Sequence, residues 1–116
     1  MKYFVLIAHS PTGWDEMSPE EQADAMRQHG DFHQAVGAGM LAGEALAGPE
    51  TATTMRHVAG SPTLTDGPFA ETAEQIVGFY LIETDDRAGL ERCCAQLAST
   101  GDLIELRQLA TGDDDT

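Results

Sequence analysis

The fold of this chain is decided by one stretch, Ile76-Val77-Gly78-Phe79-Tyr80-Leu81-Ile82-Glu83-Thr84. Its aromatic and branched side chains predict a strand, because these residue types pack well on a pleated surface. Successive side chains of a strand point to opposite faces. One face would carry Val77, Phe79 and Leu81, and the other Ile76, Tyr80 and Ile82. Both faces are apolar, so both need cover from water.

The segments that follow this strand predict a helix and a closing strand. Asp85 or Asp86 is placed to cap the helix, which ends near Gly101. Leu90, Cys93, Cys94 and Leu97 recur at helical spacing and form its buried side. Residues 103–109 then read as the last strand.

The segments before it predict two strands, a long helix and a hairpin. Residues 2–8 form a strand, and Ser18-Pro19-Glu20-Glu21 is a strong helix start, with Ser at the N-cap and Glu at the third helical position. We expect this helix to reach about residue 37 and to end at Gly37 or Gly39. A weak strand at 40–46 and a hairpin follow. Residues 51–58 and 63–65 would pair in it, around the turn Ala59-Gly60-Ser61-Pro62.

The order of elements predicts the fold class. A βαββαβ pattern is typical of the ferredoxin-like α+β sandwich, here with an inserted β-hairpin. Both helices of such a sandwich cover the same face of an antiparallel sheet. Because residues 3–8 and 76–84 are apolar on both faces, we predict that a second subunit covers the open face in a homodimer.

Length and charge limit the possible functions. The chain has 116 residues, enough for one domain, which we assign to residues 1–110, with a flexible acidic tail at 111–116. The net charge of −14 argues against nucleic acid as a partner, since phosphate binding needs a basic patch. It also disfavours an anionic membrane surface. The first residues are too short for a signal peptide, so we expect a cytoplasmic protein.

The turn that precedes the decisive strand holds the first candidate for a functional side chain. In Thr65-Asp66-Gly67-Pro68-Phe69-Ala70-Glu71-Thr72, glycine and proline restrict the backbone around Asp66. A carboxylate held in this way can face a ligand. It can equally serve an Asx-type turn, in which the side chain only accepts hydrogen bonds from neighbouring amides.

His29 and His33 stand four residues apart on the long helix, on the same side as Ala25, Met26, Phe32 and Val36. The pattern predicts that both imidazoles face the sheet. Such a pair can bind a metal, be satisfied inside the core, or act in acid–base catalysis. No third ligand stands nearby in sequence, so we predict no metal and no cofactor. His9 ends the first strand on the same face as Ile7 and is a further catalytic candidate. Glu44, Phe69 and Tyr80 are candidate ligand-binding residues.

Several segments together make the chain resemble the YciI-related, DGPF-domain family of small bacterial proteins. Besides residues 65–72, they are Met1-Lys2-Tyr3, Ser18-Pro19-Glu20-Glu21, Gly43-Glu44-Ala45-Leu46, Thr51-Ala52-Thr53-Thr54, Gly78-Phe79-Tyr80-Leu81-Ile82 and Ile104-Glu105-Leu106-Arg107. The resemblance implies a dimeric α/β barrel and a ligand-facing role for Asp66. It also implies a histidine on the first helix that pairs with an aspartate, near His29. Ala73 and Val77 depart from the pattern, which usually has lysine and glycine at these two places.

Two kinds of function fit these features. The first is a cofactor-independent acid–base enzyme that carries out elimination, isomerisation or ring opening on a small organic substrate, with Asp66 and His29 or His33 as the acid–base pair. The alternative is a non-catalytic ligand-binding or regulatory domain, and the resemblance implies an association with alternative sigma factors for some relatives. A purely structural dimer with core histidines is a third possibility.

Overall fold

A computed structural model describes residues 1–10, 12–70 and 72–110 of the chain. The predicted acidic tail, 111–116, and Glu71 of the turn motif lie outside the described residues. In chain order the elements are β1 (Lys2–His9), α1 (Gly13–Glu16), α2 (Pro19–Val36), β2 (Met40–Ala45), β3 (Thr53–Val58), β4 (Ser61–Asp66), β5 (Gln75–Glu83), α3 (Arg87–Leu97) and β6 (Leu103–Gln108). Short 3-10 turns occupy Gly37–Gly39, Pro49–Thr51 and Ala98–Thr100.

The main sheet is antiparallel with the strand order β2-β5-β1-β6. This is the order of a ferredoxin-like α+β sandwich, and the predicted fold class is confirmed. The decisive strand, β5, lies in the interior of the sheet between β2 and β1, which explains its apolar sequence on both sides. β3 and β4 form a separate two-stranded sheet, the inserted hairpin.

The long helix α2 begins as its sequence predicts. The Ser18 hydroxyl accepts a hydrogen bond from the Glu21 amide at 3.1 Å, and the Glu21 carboxylate accepts one from the Ser18 amide at 2.8 Å. This capping box satisfies two amides that the helix itself leaves without partners. The helix ends at Gly37, whose φ of 61° lies in the region that favours glycine. The second cap is Asp86, whose carboxylate accepts from the Gly89 amide.

The core lies between the two long helices and one face of the sheet. Val5, Ile82 and Leu97 are its most completely buried side chains. The opposite face of the sheet carries Phe4 and Phe79, whose rings are 5.3 Å apart and only partly buried. The buried core cluster includes no residue of that second face among the described residues.

The hairpin differs from the sequence-based prediction in its turn. The turn is shorter than the predicted Ala59-Gly60-Ser61-Pro62, because β4 already begins at Ser61. Ala59 and Gly60 both have positive φ, 53° and 83°, which suits the right-handed twist of a two-residue hairpin. Pro62 pairs with His57, and the strand tolerates proline because each strand of a two-stranded sheet is an edge.

The molecule is flat, and the hairpin is largely exposed. The principal extents are 48 × 44 × 17 Å and the radius of gyration is 16.4 Å, against about 13 Å for a compact domain of this length. Met55, Leu64 and Phe69, which lie on or just after the hairpin, are 66%, 68% and 81% exposed. Exposed apolar side chains of this size form a surface that suits contact with another molecule.

Candidate functional site

A cavity of about 530 Å³ lies at the β2 side of the sheet, beneath α1 and α2. Five elements border it: the end of β1, the two N-terminal helices, β2 with the loop to Pro49, and β5. The residues with ionisable side chains that border it are His9, His29, His33, Glu44, Tyr80 and Asp102. Five of the seven residues that the sequence singled out are therefore brought to one place.

The centre of the site is a hydrogen bond between His29 and Tyr80. His29 Nδ1 and the Tyr80 hydroxyl are 2.7 Å apart, although the residues are 51 positions apart in sequence. Burial lowers the pKa of His29, and the neighbouring His33 lowers it further, while the negative charge of Asp102 opposes the change. Burial raises the pKa of Tyr80. Both groups are therefore held in their neutral forms near neutral pH.

The Tyr80 ring is fixed from several sides. The Phe32 ring centroid lies 4.9 Å from that of Tyr80, and the His33 ring is nearly perpendicular to it, with the centroids 5.2 Å apart. On the neighbouring strand, Tyr80 pairs with Gly43, where an added Cβ would overlap the Tyr80 ring. Glycine at position 43 therefore makes the space in which the ring lies, and the helix holds the ring from above.

His9 occupies the end of β1 with its tautomer determined by the backbone. His9 Nδ1 lies 2.5 Å from the Ser10 carbonyl oxygen. Because a carbonyl oxygen only accepts hydrogen bonds, Nδ1 carries the hydrogen, and in the neutral ring Nε2 has a free lone pair. In this neutral form, the half-buried His9 can accept a hydrogen bond or a proton at the border of the cavity.

His33 corrects one prediction from the helix pattern. We expected both helix histidines to face the sheet, but His33 is exposed to solvent and only its ring edge touches Tyr80. The residues of α2 that are fully buried are Ala25 and Phe32. The buried stripe is therefore narrower than the predicted arc, and His33 and the 64% exposed Met26 lie on its flanks.

Glu44 borders the cavity as part of β2. In the sheet register it is opposite Phe79, whereas Gly43 is opposite Tyr80. Cross-strand partners share a face, so the register assigns Glu44 to the face opposite the His29–Tyr80 pair. Glu44 therefore borders the cavity through the backbone of β2 and not through its carboxylate.

Asp66 and Phe69 are not brought to this cavity within one chain. Asp66 ends β4, where it pairs with Thr53 and is exposed, and Phe69 is 81% exposed. Neither residue lines the cavity as the structure describes it. The expected pairing of Asp66 with His29 is therefore absent from the described residues of a single chain. The turn itself is ordered by Gly67, whose φ is 103° and whose amide donates to the Ala52 carbonyl at 2.7 Å.

Two residues at the cavity border, Asp102 and Trp14, were not predicted from the sequence. Asp102, half-buried and immediately before β6, is the carboxylate whose charge raises the pKa of His29. Trp14, on the short helix α1, is 41% exposed at the border of the cavity. A carboxylate placed directly before the closing strand was the available signal for Asp102. A helix of one turn gives no periodicity from which Trp14 could have been placed.

No group of three His, Cys, Asp or Glu side chains suitable for a metal occurs in the part of the chain that the structure describes. The two cysteines belong to α3, away from the cavity lining. Cys94 is buried, and burial raises its pKa to about 11, with smaller contributions from Cys93 and Glu91. Its thiol is therefore kept protonated and unreactive.

A model of the YCII-related domain matches residues 1–110. The chain belongs to the YCII-related family. It is 42% identical over 115 residues to an uncharacterised protein of Rhizobium meliloti (strain 1021), an alignment that covers 95% of this chain and 93% of the relative. Among the described residues, no helix is long and apolar enough to cross a membrane.

In this YCII-related chain the site combines three chemical abilities. His9 offers a lone pair, the His29–Tyr80 pair offers protons from neutral groups, and Asp102 supplies negative charge close to His29. A proton acceptor and a proton donor that border the same cavity can together move a proton from one atom of a bound molecule to another.

Proposed function

We propose that this protein is a cofactor-independent acid–base enzyme, a lyase or isomerase, that acts on a small organic substrate. The hydrogen bond of 2.7 Å between His29 and Tyr80 on the wall of the cavity carries the proposal. The opposite directions of their pKa shifts support it, because perturbed titratable groups in a cleft are characteristic of catalytic sites.

The roles follow from the protonation of each group. His9 Nε2 takes a proton from the substrate, since Nδ1 is already engaged with the Ser10 carbonyl. The His29–Tyr80 pair returns a proton to another substrate atom. Between turnovers His9 releases its proton to solvent and the pair takes one back from solvent, and the Asp102 charge favours that uptake by His29 because it raises the His29 pKa. Elimination, isomerisation and ring opening all need this transfer between two positions.

We also propose a homodimer formed through the open sheet face. The proposal is supported by four apolar side chains that a second subunit would remove from water. They are the half-buried Phe4 and Phe79 on that face and the exposed hairpin residues Met55 and Leu64. Asp66 would be a ligand-facing residue only if a second copy carries its hairpin to this cavity. Sedimentation at micromolar concentration tests the dimer, and a folded monomer of 12.4 kDa would contradict it.

A second candidate function is a ligand-binding accessory domain. The exposure of Phe69 and Leu64 favours it, since apolar side chains on a projecting hairpin suit contact with another protein. The two candidates differ in whether a bound molecule is changed.

Proton transfer can be tested without knowing the substrate. The protein is incubated in D2O with a mixture of small metabolites, and mass spectrometry follows deuterium uptake and conversion. We expect activity in the wild type, its loss in His29→Gln and Tyr80→Phe, and its retention in His57→Gln. His57 is an exposed histidine of the hairpin and provides the matched control. Saturable binding without exchange or conversion would instead support the accessory domain.

A further inference from the structure

The cavity is bordered by acidic residues and by no lysine or arginine. The chain has six Lys and Arg residues, and none of them lines the cavity. Three of the arginines are engaged in ion pairs elsewhere: Arg27 with Asp24, Arg87 with Glu91 and Arg107 with Glu105. Arg56 lies on the hairpin, with its guanidinium near the Phe69 carbonyl. A carboxylate or phosphate entering the cavity would therefore lose water without gaining a cationic partner.

His29 does not supply the missing positive charge. Burial keeps the pKa of His29 low, so this ring is neutral at neutral pH. Asp102 adds negative charge at the same wall, and the whole chain carries −14. The electrostatic potential inside the cavity thus repels anions and favours neutral or cationic molecules.

The hydrogen-bonding groups of the cavity restrict the chemical class of the ligand further. His9 Nε2 is an acceptor in the neutral ring, and the Asp102 carboxylate only accepts. A ligand that satisfies both must present donors, such as hydroxyl or amine groups. The rest of the wall, with Trp14, Met17 and Val77, suits an apolar or aromatic body.

We infer that the ligand is a small, mainly apolar molecule with no negative charge that presents a hydroxyl or amine donor, and that carboxylates and phosphates are rejected. This inference rests on the proposed function only for the location of the site, and it specifies the class of molecule that the site accepts. A volume of about 530 Å³ has room for a single-ring compound with short substituents.

Three probes that share one ring test the charge and donor requirements separately. Benzyl alcohol, benzylamine and benzoate are titrated into the full chain at pH 7.5, and NMR follows the imidazole signals of His9 and His29 and the indole signal of Trp14. We expect saturable shifts with the alcohol and the amine, and no saturable shift with benzoate up to ten times their dissociation constants. Benzoate binding as tightly as benzyl alcohol would overturn the inference, and so would the absence of saturable shifts with all three probes.

A matched pair of variants separates local charge from total charge. Asp102→Asn should weaken benzylamine about two- to five-fold, as for a partly exposed ion pair, and should leave benzyl alcohol within about two-fold. Asp31→Asn removes the same charge from the exposed side of α2 and should change neither probe. Equal effects of the two variants would contradict a local role for Asp102.

The two proposals fail in different experiments. Loss of deuterium exchange with the binding pattern intact would remove the enzyme proposal and leave the ligand class standing. Benzoate binding with normal deuterium exchange would remove the proposed ligand class and leave the enzyme proposal standing.

Discussion

The hairpin and the cavity are the two regions of this molecule where a ligand or a partner would be expected, and they are built in opposite ways. The hairpin, β3 and β4, carries large apolar side chains in water and ends in Asp66, an exposed carboxylate. The cavity holds ionisable groups against apolar walls, where burial changes the pKa values of His29 and Tyr80. The most recognisable motif, around Asp66, is therefore on the hairpin, whereas the groups with shifted pKa values are in the cavity. A motif that is easy to recognise is not by itself the place where reactive groups meet.

The largest expected contrast is in stability. Ile82 is 1% exposed in the core beside the cavity, so Ile82→Ala should lower the free energy of unfolding by about 2–5 kcal/mol. Leu64 on the hairpin is 68% exposed. In a monomer, Leu64→Ala should therefore change the free energy of unfolding by no more than about 0.5 kcal/mol. Chemical denaturation at several protein concentrations measures both. A loss for Leu64→Ala that grows with protein concentration would show that the hairpin is buried in an oligomer.

A smaller effect is expected at Gly43. Gly43→Ala places a methyl group where the Tyr80 ring lies, and overpacking of this kind costs about 1–3 kcal/mol. Gly30→Ala is the control, since an added Cβ at this exposed helix position meets nothing within 4 Å. It should stabilise the protein by about 0.5–1 kcal/mol. If Gly43→Ala were neutral in thermal unfolding and left the His29 signals unchanged, the ring would not depend on this glycine.

The next prediction concerns the pKa of His29, and it compares the two regions directly. Asp102→Asn should lower this pKa, because the Asp102 charge raises it. Asp66→Asn should leave it unchanged, because Asp66 is on the exposed hairpin and does not line the cavity. NMR titration of the imidazole measures both variants. A fall with Asp66→Asn would mean that a second copy brings its hairpin to the cavity.

The smallest effect is expected in the dependence of stability on pH. The pKa of His29 is lower in the folded chain than the ordinary value of 6.5, so the unfolded chain binds a proton first as the pH falls. His29 should therefore cost stability progressively from about pH 6.5 down to its folded pKa. The difference between the wild type and His29→Gln, measured by denaturation across this range, isolates the contribution. A difference that is constant with pH would contradict the burial of the neutral ring.

Much of the fold could be predicted from local signals. The capping box at Ser18 and the cap at Asp86 depend on neighbouring residues, and each is found where the sequence predicts it. The alternation predicted for β5 holds from Phe79 to Ile82. It fails at the start of the strand, because a register shift pairs the 48% exposed Ile76 with Ala8 while Val77 packs against the core. The hairpin turn was predicted too long because Pro62 was read as a turn residue. It is tolerated in β4 because that strand is an edge, which is a property of the assembled sheet.

The site could be predicted only in part. His9, His29 and Tyr80 were selected by strand alternation and helix periodicity, and these patterns give the face of an element. They do not give its neighbours across the fold, so the contact between His29 and Tyr80 could not be predicted, and Asp102 was missed. The position of Asp66 outside the cavity also depends on how the hairpin folds away from the sheet.

The position of Trp14 makes the cavity optically distinct from the rest of the chain. It is the single tryptophan in the sequence, and it stands at the cavity border, 41% exposed. Indole fluorescence responds to the polarity around the ring and to quenching groups beside it. The emission spectrum of the unmodified protein therefore reports on entry of a molecule beneath α2, without a label and with no contribution from the hairpin.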